Sequence, residues 1–211
     1  MKIISLSSSI AGPACAVAYC IKHFYYNDYY ITNFFDNLEV SLYSITQVFK
    51  NNSEEIENKL NTNNFIFLNK DNKSSVCFNN FNKMISHHDL PKNYTDDDYN
   101  IFIEKYKRRF NRLIETIINE DIIFFIRYGN ERSEDITDFM NEINRINNNL
   151  KVYFINVNFD EHNKLKNYDI KNFVYINFNT YLDNTIKYHE DLYYKTIQFN
   201  WLKVFDIINN L

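Results

Sequence analysis

Glycine and proline are nearly missing from this chain, with two of each in 211 residues. Collagen-like, Gly/Ser-linker and Pro-rich classes are excluded on that count. So is a glycine-rich phosphate loop, because Gly12 and Gly129 cannot write either G-x-G-x-x-G or G-x-x-x-x-G-K-[ST]. Cysteine is scarce as well. Cys15, Cys20 and Cys77 are odd in number and include no C-x-x-C pair, which argues against a disulfide framework or a zinc ribbon. Reduced thiols in a cytoplasmic setting are expected, with no metal and no other cofactor. A surplus of positive charge is also lacking: the net charge is −4, which argues against a nucleic-acid partner held by electrostatics. No stretch approaches the ~18 apolar residues of a membrane span, so no membrane partner is expected. Lys2-Ile3-Ile4 and the small residues through Ala18 faintly resemble a signal peptide, but Ser5, Ser7, Ser8, Ser9 and Pro13 interrupt the apolar run.

What the chain has instead is aromatic mass, 19 Phe and 17 Tyr, together with a heavy load of asparagine. Hydrophobic residues make up 45% and charged residues 24%, enough apolar side chain for one well-buried domain over residues 1–211 and too short a chain for two. Lys2 to Ser8 reads as a buried strand, and Gly12-Pro13 opens a helical pattern from Ala14 to about Phe24. The aromatic stretch from Phe24 to Phe35 has no clean period. Ser41 to Lys50 and Glu54 to Leu60 are helix-compatible. Phe65 to Leu68 and Ser74 to Phe78 suggest a small hairpin insertion around Asn69-Lys70-Asp71-Asn72, spanning roughly residues 65–79. A loop follows from Ser86 to Pro91.

The strongest helix comes next. Tyr99, Phe102, Ile103, Tyr106, Phe110, Leu113, Ile114 and Ile117 recur at spacings of three and four behind the acidic start Thr95-Asp96-Asp97-Asp98. The remainder alternates. Apolar runs at 121–128, 151–158 and 173–178 are separated by helical patterns, the first with Ser133 as its cap, then 161–168, and a last helix over 190–208. Strands buried on both faces and joined through helices imply parallel pairing. The fold class expected is α/β, a mostly parallel central sheet flanked by helices.

Few residues offer chemistry. Cys15 stands where the first strand hands over to the first helix, a place that favours a thiolate. His87, His88 and Asp89 form the compact polar cluster of a loop, and an imidazole there suits the base of a thiol nucleophile. Lys105, Arg109 and Arg112 share one flank of the long helix, and Arg127 ends a strand; these arginines are candidates for binding a phosphate or carboxylate. Asp36, set among Phe34, Phe35 and Leu38, is an acid in apolar company, where a carboxyl is either held structurally or raised in pKa.

Taken in order, Ser5-Leu6, Cys15-Ala16-Val17-Ala18-Tyr19, Phe35-Asp36-Asn37-Leu38, His88-Asp89, Lys105-Tyr106-Lys107-Arg108-Arg109-Phe110-Asn111-Arg112-Leu113 and Phe124-Phe125-Ile126-Arg127 resemble the pattern of a little-characterised family of papain-like cysteine peptidases found in bacteria and large DNA viruses. That family begins Ser-Leu-Gly-x-x-Cys and carries Phe-Asp-Trp-Leu. Here the stretch from Ser7 to Ala14 is longer, the glycine stands at position 12, and Asn37 replaces the Trp. The resemblance implies a cysteine-dependent hydrolase acting by acyl transfer on a peptide or small-molecule substrate. In it Cys15 is the nucleophile, His88 the base, and Asp89 or Asp36 the orienting acid. A papain fold would set a helical half against an antiparallel barrel, whereas the C-terminal half of this chain reads as parallel βαβ. The alternative readings are a transferase that binds a nucleotide-linked or phosphorylated ligand such as a sugar donor, and a non-catalytic binding module.

Overall fold

The runs IIFFIRY, KVYFINVN and FVYIN put branched and aromatic residues on both sides of an extended backbone, the composition of strands covered on both faces. A computed structural model of the chain describes residues 1–8, 16–24, 29–36, 38–60, 65–70, 73–82, 84–86, 89–90, 93–158, 169–177, 201–202 and 204–211. Its elements are β1 (Lys2–Ser8), α1 (Ala16–Phe24), β2 (Leu38–Glu39), α2 (Leu42–Phe49), α3 (Ser53–Lys59), β3 (Phe65–Lys70), β4 (Lys73–Phe78), β5 (Met84–Ser86), α4 (Asp96–Asn119), β6 (Ile122–Tyr128), α5 (Ser133–Ile146), β7 (Lys151–Asn158) and β8 (Phe173–Asn177). Residues 204–209 are helical. The short helix expected over 161–168 and the start of the helix expected from 190 lie outside the described residues.

One eight-stranded sheet runs in the order β3-β4-β5-β2-β1-β6-β7-β8. The pairs β2/β1, β1/β6, β6/β7 and β7/β8 are parallel, as the alternation after residue 120 predicts. The hairpin β3/β4 forms with Phe65 opposite Phe78 and Lys70 opposite Lys73. β5 pairs antiparallel with both β4 and β2 and so joins the hairpin to the edge of the parallel sheet. The reading of Ser86 as loop is corrected accordingly: Met84–Ser86 is a strand too short to show a period.

The chain leaves β1 toward β2 through α1, which packs Val17, Cys20 and Ile21 with Trp201 and Phe205 on one face of the sheet. It goes from β6 to β7 through α5, whose Ile136, Phe139 and Ile143 pack on the other face with α2 and α4. Opposite directions on opposite faces give both crossovers the same hand, as connection rules require. The strand order therefore reverses at β1 and β6, where an α/β sheet opens a crevice beyond the carboxyl ends of its strands.

The helix starts follow local chemistry. Ser41 accepts from the Ser44 amide at 3.1 Å, and Asn52 with Glu55 and Thr95 with Asp98 form capping boxes on α3 and α4. Ser133 is not the cap of α5. Arg132 holds that position without a side-chain cap bond, and its guanidinium instead grips Asp135 at 2.8 Å. No helix among the described residues is long and apolar enough to cross a membrane.

Candidate functional site

Tyr30 pairs with Ile3 of β1, and the Ile3 amide donates to the Tyr29 carbonyl at 2.9 Å. Further on, Glu39 pairs with Ser8. Nine residue steps thus separate Tyr30 from Glu39, against five between Ile3 and Ser8. The surplus of four residues cannot lie in the sheet, and it folds out as a turn at 34–36. Asp36 stands in that turn at 1% exposure. Its carboxyl accepts from the Tyr30 hydroxyl, from the Asn33 amide at 3.0 Å and from Asn33 Nδ2 at 2.9 Å. Asn33 Nδ2 also donates to the Ser5 carbonyl at 3.0 Å, which ties the turn to the middle of β1.

Asp89 meets the same region from the other side. Its carboxylate accepts from Ser86 Oγ at 2.8 Å, from the Lys105 ammonium and from the Tyr106 hydroxyl. Tyr106 is fully buried, 5.3 Å from the Phe34 ring centroid and 4.8 Å from that of Phe102. The Arg109 guanidinium lies 5.9 Å from the Tyr106 ring centroid. Arg109 is half-buried, yet its Nη1 is enclosed without a hydrogen-bond partner among the described residues. An unmade bond on a charged, buried donor costs about 1–3 kcal/mol or more.

The two carboxyls are tuned in opposite directions. Burial pushes Asp36 up to about 7, and the bonds from Tyr30 and Asn33 and the charges of Arg109 and Arg112 only partly offset it. Burial also opposes ionisation of Asp89, but the bonds from Lys105 and Tyr106, the Lys105 charge and the Ser86 bond outweigh it and hold that carboxyl below the usual range. Burial, then the Asp89 and Asp36 charges respectively, push the Tyr106 and Tyr30 phenols up. Asp89 and Lys105 therefore neutralise one another.

The sequence candidates end up in different places. Asp89 and Arg109 meet at Tyr106, while Asp36 is held by Tyr30 and Asn33, with Arg109 and the exposed Arg112, one turn further along α4, within electrostatic reach of it. Arg127 does not open onto a crevice. It is 0% exposed, and its guanidinium is spent on Glu131 at 2.6 Å and on the carbonyls of Leu6 and Val40, each at 2.7 Å. It braces the ends of β1 and β6 to the chain beyond β2, which corrects its reading as a ligand-binding group. Cys15, His87 and His88 lie outside the described residues. α1 begins one residue after Cys15, and Cys20 and Cys77 are buried, with burial pushing the Cys20 thiol up to about 12.

Tyr30, Asn33, Ser86 and the Tyr106 hydroxyl belong to the cluster and were not legible as such. The spacing Asn33-x-x-Asp36, an amide and an acid closing a turn, was the available signal. Among the described residues no three His, Cys, Asp or Glu side chains gather in a way that would hold a metal ion. A cavity of about 540 Å3 at the amino-terminal ends of β7 and β8, lined by Asn141, Asn144, Asn149, Lys151 and Asn172 among others, contains none of the candidate residues. Comparison with family models, with curated proteins and with solved structures finds no match.

Proposed function

We propose that this chain is a cysteine-dependent hydrolase of acyl substrates, peptide or small molecule, with Cys15 as nucleophile and His88 as base. The observation that carries the reading is the backbone at Ser7, whose φ is 59°. A left-handed residue at the end of a strand is costly for anything but glycine. In the resembled family the residue that follows Ser-Leu, before the cysteine, is glycine. Ser7 follows Ser5-Leu6 here, while the glycine of this chain stands at position 12, and the Ser7 hydroxyl, which donates to the Leu38 carbonyl, holds the backbone in that conformation. A positive φ at Ser7, directly after Ser5-Leu6, supports a turn of the family's kind at the end of β1.

In this reading His88 takes the Cys15 proton and the thiolate attacks the acyl carbon. His88 returns the proton to the leaving group, and water, deprotonated by His88, then cleaves the thioester. Asp89 is a positioning residue. Its carboxylate is already committed to Ser86, Lys105 and Tyr106, and so it fixes the chain one residue after His88. Asp36, held by Tyr30 and Asn33, is the other candidate for the orienting acid. The alternative of a transferase for a phosphorylated ligand draws its support from the unpartnered donor of Arg109.

The test is acyl-enzyme trapping with p-nitrophenyl acetate followed by peptide mass spectrometry. The acetyl group is expected on the peptide that carries Cys15, absent in Cys15→Ser, and formed about a hundredfold more slowly in His88→Ala. Acetylation that ignores His88, or none on Cys15, contradicts the reading.

A further inference from the structure

We infer that the cavity between α5 and the start of β8 is a binding site for a sugar. It lies at the amino-terminal ends of β7 and β8, the end of the parallel sheet opposite Ser8 of β1. The inference therefore does not depend on the reactivity of Cys15.

The chemistry of this cavity is that of the amide. Five of its twelve lining residues are asparagine, Asn141, Asn144, Asn148, Asn149 and Asn172, more than twice the share set by 35 Asn in 211 residues. Elsewhere the fold ties such side chains to itself: Asn33 to Ser5 and Asp36, Asn147 to the carbonyls of Ile117 and Ile118, Asn156 to that of Gly129. None of the five lining side chains makes a hydrogen bond with the described residues. Their placement follows from the helix. At about 100° per residue, Thr137, Asn141 and Asn144 share an arc of about 60° on α5, beside the stripe of Ile136, Phe139 and Ile143 that enters the core. Asn172 completes the lining from the turn before β8, at φ 61°.

The same lining decides between classes of ligand. A metal cation needs carboxylates, and none of the twelve residues is an acid. An oxyanion is best held by several cationic donors, and the lining has two lysines. Lys151 holds its ammonium 4.9 Å from the ring centroid of Tyr153, which packs on the face of the sheet away from α5. Lys171 is left as the one cation toward the cavity. An amide sets donors beside an acceptor, and each hydroxyl of a sugar likewise both donates and accepts. Buried Met140, Leu150 and Val152 supply an apolar wall for the C–H face of a sugar ring. The volume of about 540 Å3 falls within the range of about 300–1,000 Å3 common to small-ligand clefts.

The experiment is an NMR titration of the 15N-labelled chain with glucose, galactose, mannose and N-acetylglucosamine, each separately, and with sulfate. It follows the side-chain NH2 pairs of Asn144 and Asn172, identified by their loss in Asn144→Ala and Asn172→Gly. Both variants suit the backbone, since alanine is the better helix former and glycine accepts the positive φ. A saturable shift of both pairs in the millimolar range is expected with at least one sugar, and each variant should weaken that binding about fivefold. No saturable shift with any of the four sugars overturns the proposal. So does sugar binding that either variant leaves unchanged, because the ligand then sits elsewhere. Saturation by sulfate alone also overturns it and makes the cavity an oxyanion site on Lys171.

Discussion

Asp36 makes the folded state sensitive to pH in an unusual direction. Its carboxyl titrates at about 7 in the fold, above its value of 3.8 in the open chain. Between those values the folded state holds a proton that the unfolded state has released, so stability declines as pH rises across that window and the loss is complete above about 7. Urea unfolding at about pH 5 and about pH 8 should show the wild type losing about 2–4 kcal/mol more than Asp36→Asn over that interval. Equal losses would mean that Asp36 ionises normally. Arg127 makes a different case. Its partners are internal, and Arg127→Ala removes the buried cation beside Glu131 together with the bonds to the Leu6 and Val40 carbonyls, so thermal unfolding should report a loss of about 3–5 kcal/mol. Both residues stood out in the sequence, Asp36 for its apolar neighbours and Arg127 for closing a strand. Only the first neighbourhood was legible, because the partners of Arg127 come from positions 6, 40 and 131. Tyr30 and Tyr106 were hidden for another reason: in a chain with 17 Tyr, a tyrosine at an apolar position reads as core, and its hydroxyl carries no periodic signal.

The long elements were readable and the short ones were not. α4 and α5 announce themselves by apolar residues at spacings of three and four, and β6 and β7 by continuous apolar runs. β2 has two residues and β5 three, fewer than any period needs, yet they join the hairpin to the parallel sheet. At the end of β1 the left-handed Ser7 gives a test at this scale. Ser7→Gly should lie within about 1 kcal/mol of the wild type, relief of the backbone offsetting the lost bond to Leu38. Ser7→Val should lose more than about 2 kcal/mol, since a branched side chain disfavours φ above zero and this position is buried. On α4, Tyr106→Phe removes one donor from a buried carboxylate and should cost about 1–3 kcal/mol in urea unfolding.

For the molecule as a whole, the class of fold was legible because alternating apolar runs and helical periods after residue 120 leave few topologies that bury both faces of every strand. Two separated clusters of buried side chains, one on each face of the sheet, are the packing counterpart of that alternation. The continuation of the sheet through β5 into β4 and β3 was not legible, since pairing between distant strands is decided in space. The function proposed rests on one chemical claim, that Cys15 is a thiolate at neutral pH because His88 stands beside it. The rate of iodoacetamide labelling of Cys15 against pH tests that claim most directly. A midpoint well below the ~8.5 of a free cysteine is expected, moving upward in His88→Ala. A midpoint near the free value in both proteins would contradict it.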